Sequence, residues 1–251
     1  MHYFGSTDIG KVRDTNQDSF FIDTVPDKTT GEEILLAVVC DGMGGANGGS
    51  VASKLAAETF VAEMKKGIDG IMREKLPADA CESIMTYAVS CANRAVYTAA
   101  REKPSLRGMG TTLVSVLLFR GAAYVVNVGD SRLYIHTADG ISQLTHDHSY
   151  VQTLVDQGKL QPADAKNHPN KNVIMRAVGT EPTVTPDYFK VLPDRKDFLL
   201  CSDGLSNFVT ETDMRDALRR CESAADAVRD LIYLANERGG GDNITAVLIR
   251  V

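Results

Sequence analysis

Five aspartates in this sequence occupy the same kind of position, where an apolar, strand-like run meets a turn. Asp41 follows Ile34-Leu35-Leu36-Ala37-Val38-Val39-Cys40 and precedes Gly42-Met43-Gly44-Gly45. Asp130 closes Ala123-Tyr124-Val125-Val126-Asn127-Val128-Gly129, and Asp203 follows Phe198-Leu199-Leu200-Cys201-Ser202. Asp242 leads through Asn243 into the run from Ile244 to Ile249, and Asp18 precedes Ser19-Phe20-Phe21-Ile22. Carboxylates are almost never fully buried unless they are paired or hold a metal. One such aspartate reads equally well as a turn residue capping the next helix. Five at one structural address ask for a common purpose.

If these side chains converge, two like charges about 4 Å apart repel by roughly 4 kcal/mol at an effective dielectric near 20. Several such pairs would rival a domain's whole stability of about 5–15 kcal/mol. The cluster is bearable only with cations or bound protons. Carboxylates and carbonyls suit hard divalent ions, magnesium or manganese, whereas zinc favours histidine and cysteine. Two such ions can share one water, lower its pKa and aim it at phosphorus. Arg13, on the same loop as Asp18, is then the natural clamp for phosphoryl oxygens, because its planar fork matches them bidentately.

Competing chemistries lack their residues. None of the 5 cysteines is followed six positions later by arginine, there is no Asp-x-Asp nucleophile motif, and neither Gly10-Lys11 nor Gly158-Lys159 continues into a phosphate loop. The loop Gly44-Gly45-Ala46-Asn47-Gly48-Gly49 could bind phosphate through its amides. We read it instead as letting the backbone approach the metals, with the Gly42 carbonyl as a ligand.

The elements that would position these groups are legible from pattern. Strands are expected over 3–9, 19–24, 34–40, 109–119, 121–128, 132–136, 141–144 and 244–249, with a hairpin at Asp139-Gly140. The glycines after Asp41 signal a sharp turn. Ser50–Lys66 reads as a helix with Val51, Leu55, Ala56, Phe60 and Met64 inward. Pro77–Arg101 reads as another, with Ile84, Ala88, Cys91, Ala95 and Ala99 inward. A short helix over 150–157 precedes a polar, proline-bearing segment, 158–172, suited to a flap over a site. Thr210–Arg220 and Ser223–Arg238 form a second helix pair, with Ser223 as N-cap and Asp226 in the capping-box position. Helices, strands, then helices again predict an α+β fold, an α-β-β-α sandwich of two antiparallel sheets, as one domain over 1–251.

At 251 residues, 43% hydrophobic and 24% charged, the chain has an ordinary globular composition. A net charge of -6 without basic runs argues against nucleic acid as a partner. No signal-peptide pattern and no run of membrane-spanning length is present, so a cytoplasmic protein off the membrane is expected. The odd cysteine count fits a reducing compartment, with Cys40 and Cys201 as core residues.

Seven motifs together carry a resemblance. Arg13-Asp14-Thr15-Asn16-Gln17-Asp18, Asp41-Gly42-Met43-Gly44-Gly45, Gly110-Thr111-Thr112, Val128-Gly129-Asp130-Ser131-Arg132, Leu144-Thr145-His146-Asp147-His148-Ser149, Ser202-Asp203-Gly204-Leu205 and Gly241-Asp242-Asn243-Ile244-Thr245 resemble the ordered series of the metal-dependent protein phosphatases, the protein phosphatase 2C family, in its bacterial form. The resemblance implies hydrolysis of phosphoserine and phosphothreonine by a metal-bridging hydroxide, with Mn2+ or Mg2+ as two or three ions. It implies that Asp41 bridges two metals with the Gly42 carbonyl on one. Asp203 and Asp242 would hold the first metal, Asp18 would reach the second mainly through water, and Asp130 with Asp203 would bind a third. Arg13 would take the substrate phosphate, and the segment at about 145–180 would be the variable flap that affects substrate choice.

Many eukaryotic members carry histidine directly after the Asp-Gly pair as general acid, whereas this chain has Met43, whose thioether cannot donate a proton. A metal-bound water is the preferred acid, ahead of His146 or His148, which read as ordinary loop residues. His2, His136 and His168 have no case beyond surface or packing roles. The expected partners are phosphoproteins, including a bacterial serine/threonine kinase and its targets, acted on by a monomer. Two rivals stand beside this reading: a catalytically silent module of the same fold that recognises phosphoproteins, and a phosphatase dedicated to a regulatory partner such as a sigma-factor antagonist.

Overall fold

The computed structural model describes residues 1–27, 30–45, 48–74, 80–193 and 196–251. Its centre is the seam between two antiparallel sheets. One runs in the order β1 (His2–Asp8), β11 (Ile244–Arg250), β10 (Asp197–Cys201), β7 (Arg132–Thr137), β8 (Gly140–Gln143). The other runs β2 (Asp18–Pro26), β3 (Glu33–Met43), β5 (Leu113–Phe119), β6 (Ala122–Val128), β9 (Asp187–Val191), with the short β4 (Gly110–Thr111) added to the end of β3. Side chains alternate across each strand, so Leu35, Ala37 and Val39 of β3 face Leu200, Val247 and Ile249 across the seam. The intervening Leu36, Val38 and Cys40 face outward into a helical layer.

That layer is α1 (Gly48–Glu74) and α2 (Ala80–Glu102); on the opposite face lie α6 (Glu211–Arg220) and α7 (Ala224–Glu237). The result is the expected α-β-β-α sandwich. The buried stripe of α1 runs through Ala52, Ala56, Phe60, Met64, Ile68 and Ile71, while Val51 is exposed. On α2 the stripe is Cys81, Met85, Ala88, Ala92 and Val96, rotated by about one residue from the expected one. Ile84 turns toward α1, where Gly67 leaves it room. A helix packed on both a sheet and a neighbouring helix buries a wider arc than one stripe, and periodicity alone does not fix its centre.

Four further differences matter for position. Strand β3 does not end at Asp41: it continues through Gly42 and Met43, which pair with Thr111 and Gly110, and the chain turns at Gly44 with φ 138. The run expected as one strand over 109–119 is therefore broken at Thr112, whose amide donates to the Asp41 carbonyl. Strand β9 and the short helix α5 (Asp203–Ser206) carry too little periodicity to be read from pattern. The capping box with both bonds sits at Thr210 and Asp213, whereas Ser223 caps α7 through its side chain and the Asp226 amide. Ala46, Asn47 and Pro77 lie outside the described residues. Between β8 and β9 come α3 (Tyr150–Asp156) and α4 (Pro162–Ala165), within the segment read as a flap. Among the described residues no helix is long and apolar enough to cross a membrane.

Gly42 is among the tightest points of this framework, since a Cβ there would collide with the Gly49 and Gln17 carbonyls. Gly42→Ala is expected to lower stability by at least about 1–3 kcal/mol, the scale of an overpacked core, measured as a fall in the denaturant midpoint at unchanged slope.

Candidate active site

The two sheets meet at one end of the seam, and the five aspartates meet there with them. Asp18 and Asp41 are direct partners across the β2–β3 ladder. Like charges placed opposite each other on neighbouring strands are destabilising, so this pairing needs compensation. Asp203 follows β10 as the first residue of α5, Asp130 follows β6 in the turn to β7, and Asp242 precedes β11. Asp18, Asp130, Asp203 and Asp242 all act electrostatically on Asp41. The structure thus gathers side chains that span most of the chain into one centre.

Hydroxyls and amides fix the Asp41 backbone and the Asp18 and Asp203 carboxylates. The Asp41 amide donates to Thr112 Oγ1 at 2.8 Å, and Thr111 Oγ1 donates to the Asp41 carbonyl at 2.9 Å. Asp18 Oδ2 accepts from Ser202 Oγ at 2.7 Å and Thr245 Oγ1 at 2.6 Å. Asn207 Nδ2 donates to Asp203 Oδ2 at 3.1 Å. Asn243 clamps the loop that carries Arg13, donating to the Ile9 and Thr15 carbonyls and accepting from the Gln17 amide. Thr112, Ser202, Asn243 and Thr245 stand in the sequence only as members of the seven motifs, with no role of their own assigned to them. Adjacency to a strand-end aspartate signals Ser202, beside Asp203, and Asn243, beside Asp242, whereas Thr112 reaches Asp41 only through the fold.

The Gly42 carbonyl is kept approachable by Gly49, where a Cβ would stand 2.7 Å from it. Arg13 is half-exposed and forms a two-pronged pair with Asp242, Nε to Oδ1 at 2.8 Å and Nη2 to Oδ2 at 2.7 Å. The expected clamp and one expected metal ligand therefore hold each other. An exposed pair of this kind contributes only about 0–1 kcal/mol, so a phosphate and a cation can take over the two partners. Among the described residues no three His, Cys, Asp or Glu side chains stand together in metal-holding geometry. With Arg13 on Asp242 and two hydroxyls on Asp18, these carboxylates point to other partners.

The charge balance nevertheless fits divalent cations. Asp18 Oδ1 and Asp130 Oδ1 are buried with no hydrogen-bond partner, and a buried acceptor left unpaired is costly. Desolvation pushes Asp18 and Asp130 up to about 7, with Asp203 adding repulsion in both cases. Asp41 is driven well above the usual carboxylate range by desolvation and then by Asp18. Asp203 is raised by desolvation and Asp242, against a hydrogen bond from Asp41 that works in the other direction. Protons therefore do in the metal-free chain what bound cations would do better, and oxygen donors of this kind match Mg2+ or Mn2+.

A cavity opens beside the centre, lined by Asp130 and Asp203 and by Ala165, Lys166 and Lys171 of the segment between β8 and β9. Arg132, on its wall, is spent on Asp147, with Nη2 to Oδ2 at 2.6 Å and Nε to Oδ1 at 3.0 Å. Of the two histidines named above, His146 is exposed and pairs with Asp156 at 2.8 Å. His148 is buried.

Residues 11–238 match the model of the Protein phosphatase 2C family. The chain belongs to that family. It is 36% identical to the Serine/threonine phosphatase stp of Listeria welshimeri over 99% of this chain and 95% of that protein. It is 38% identical to the Serine/threonine protein phosphatase PstP of Mycobacterium tuberculosis, over 100% of this chain and 45% of that one. Among solved structures it is similar to Serine/threonine phosphatase Stp1 from Staphylococcus aureus, with TM-score 0.87 and 32% identity over 99% and 94% of the two chains. The catalytic domain of PstP in complex with 2 manganese ions gives TM-score 0.80 at 32% identity over 98% and 96%.

The raised carboxylates carry a pH signature. A carboxyl held near 7 when folded and near 3.9 when unfolded binds more protons in the folded state across that window, so stability falls as pH rises through it. The metal-free chain is expected to melt at lower temperature at pH 8 than at pH 5, and Asp18→Asn should flatten that slope. Manganese should raise the melting temperature most at the alkaline end. Scanning calorimetry across pH checks all three.

Proposed function

We infer that this chain is a metal-dependent serine/threonine protein phosphatase that hydrolyses phosphoserine and phosphothreonine in proteins. The observation that carries the reading is the crowd of desolvated carboxylates, two with unpartnered oxygens, beside the Arg13 fork, in a chain of the protein phosphatase 2C family. Asp18, Asp41, Asp130, Asp203 and Asp242, with the Gly42 carbonyl, would hold Mn2+ or Mg2+. Bound there, the ions supply charge neutralisation and a water acidic enough to attack phosphorus near neutral pH.

The chain's own residues do the rest. Arg13 exchanges Asp242 for phosphoryl oxygens, which its fork fits bidentately. Thr111 and Thr112 fix the Asp41 backbone so that the centre is arranged before substrate arrives. Neither strand-end cysteine competes with water as a nucleophile: burial pushes the Cys40 thiol up and the Cys201 thiol to about 12, which keeps both protonated. Met43 has no proton to give, so the leaving serine or threonine oxygen takes its proton from solvent in the site.

The reading extends to one domain, a monomer in the cytoplasm, with a serine/threonine kinase and its targets as substrates and the segment beside Lys166 and Lys171 contacting them. Its support is that all five cysteines are free, as in a reducing compartment, and that the curated relatives are named serine/threonine phosphatases. Comparing phosphoproteomes with and without the gene tests the substrates.

With a phosphothreonine peptide and manganese, Asp41→Ala and Asp242→Ala should each lose about 10²-fold or more in kcat/KM, the scale of removing one preorganised electrostatic contact. Equal rates in parent and variants would end the phosphatase reading. Arg13→Ala should act chiefly on KM, by roughly tenfold to a hundredfold, as expected for a charge-assisted bidentate contact.

A further inference from the structure

His148 is a buried polar side chain that the proposed chemistry leaves without a task. Its ring is buried, and both nitrogens are engaged by different parts of the chain. The Gly129 amide donates to Nδ1 at 3.0 Å, and the His148 amide donates back to the Gly129 carbonyl at 3.0 Å. Because Nδ1 faces a donor, the ring proton of the neutral imidazole belongs on Nε2. That nitrogen lies 3.1 Å from Asp187 Oδ2 of β9, and Arg176 Nη1 lies 2.9 Å from it while donating to Asp187 Oδ1 at 2.6 Å. Burial lowers the His148 pKa, in keeping with a neutral ring.

The two ends of the imidazole thus grip two different structures. On one side is the turn Gly129-Asp130, which has little freedom of its own. Gly129 has φ 106, and a Cβ there would stand 2.6 Å from Thr112 Cγ2. Asn127 Nδ2 holds the Gly129 carbonyl at 3.3 Å, and among the described residues the ring alone holds its amide. On the other side are Arg176 and Asp187, at the return of the flap segment into β9. The His148 carbonyl adds a third tie, accepting from the Met175 amide at 2.7 Å.

We propose that His148 is a positioning residue: it fixes the turn that places Asp130 on the cavity wall and ties that turn to Asp187 and, through it, to Arg176. The role of Asp130 at the metal centre rests on the function proposed above; the placement of the turn does not.

Two amide substitutions separate the ends of the ring. In His148→Asn the side-chain oxygen stands near the Nδ1 position and can accept from Gly129, but nothing reaches Asp187. In His148→Gln the amide reaches toward Asp187 and leaves Gly129 unpaired. Hydrogen exchange on the full chain is expected to show the Gly129 amide exchanging about tenfold faster or more in His148→Gln, with near-parent rates in His148→Asn. The Met175–Arg176 amides should loosen in His148→Asn. Manganese calorimetry should show weaker uptake in His148→Gln and recovery in His148→Asn, with turnover losing kcat rather than raising KM.

Unchanged Gly129 exchange in His148→Gln, or a loss of manganese affinity that His148→Asn does not restore, overturns the proposal. Should His148→Gln fail to fold, Asp187→Ala reads the same link from the far end. Faster Gly129 exchange there supports the tie and parent-like exchange overturns it. If the exchange results hold while the parent itself takes up no manganese, the metal-centre reading falls and the positioning role stands.

Discussion

Repulsion between Asp18 and Asp41 is the constraint on which the rest of this structure turns. The β2–β3 register sets them opposite each other, and Asp203, Asp130 and Asp242 add charge of the same sign. No sheet keeps such a ladder position for stability. The surroundings are arranged to bear it: hydroxyls from Ser202 and Thr245 reach Asp18, and Thr111 and Thr112 take up the Asp41 backbone. What those neutral donors cannot supply is positive charge, and the remaining deficit appears as carboxyls that keep their protons toward neutral pH.

The sandwich makes this concentration possible. Two apolar sheets packed face to face give a rigid seam, and side chains at its end are held by strands that cannot shift without disturbing the core. Asp18 and Asp41 come from one sheet; Asp203 and Asp242 flank β10 and β11 of the other. Each sheet contributes charge that the other must tolerate. Arg13 is the one cation joined directly to the cluster's rim among the described contacts, and its pair with Asp242 is exposed enough to be exchanged. Protein phosphatase 2C membership and this geometry therefore point to the same chemistry by separate routes.

Much of this was legible beforehand because the signals are local. Apolar runs ending in Asp, the glycines after Asp41 and the two helix pairs each lie within a short window of sequence. The misreadings share one cause. The extension of β3 through Met43 depends on pairing with Gly110 and Thr111, a partner some seventy residues away, and the rotated stripe of α2 depends on the neighbouring α1. His148 read as an ordinary loop residue because its neighbours in sequence are polar; its partners Gly129, Arg176 and Asp187 are remote.

The sequence by itself determined which aspartates share a strand-end address, and the class of ion such carboxylates would suit, because carboxylate hardness and strand-end placement are properties of residue type and short-range pattern. Only the tertiary structure decided who faces whom: that Asp18 lies against Asp41, that Arg13 rests on Asp242, that Arg132 is committed to Asp147, and that His148 is buried beneath the Asp130 turn. Those are outcomes of register and sheet packing, set by contacts between segments far apart in the chain, and no local window contains them.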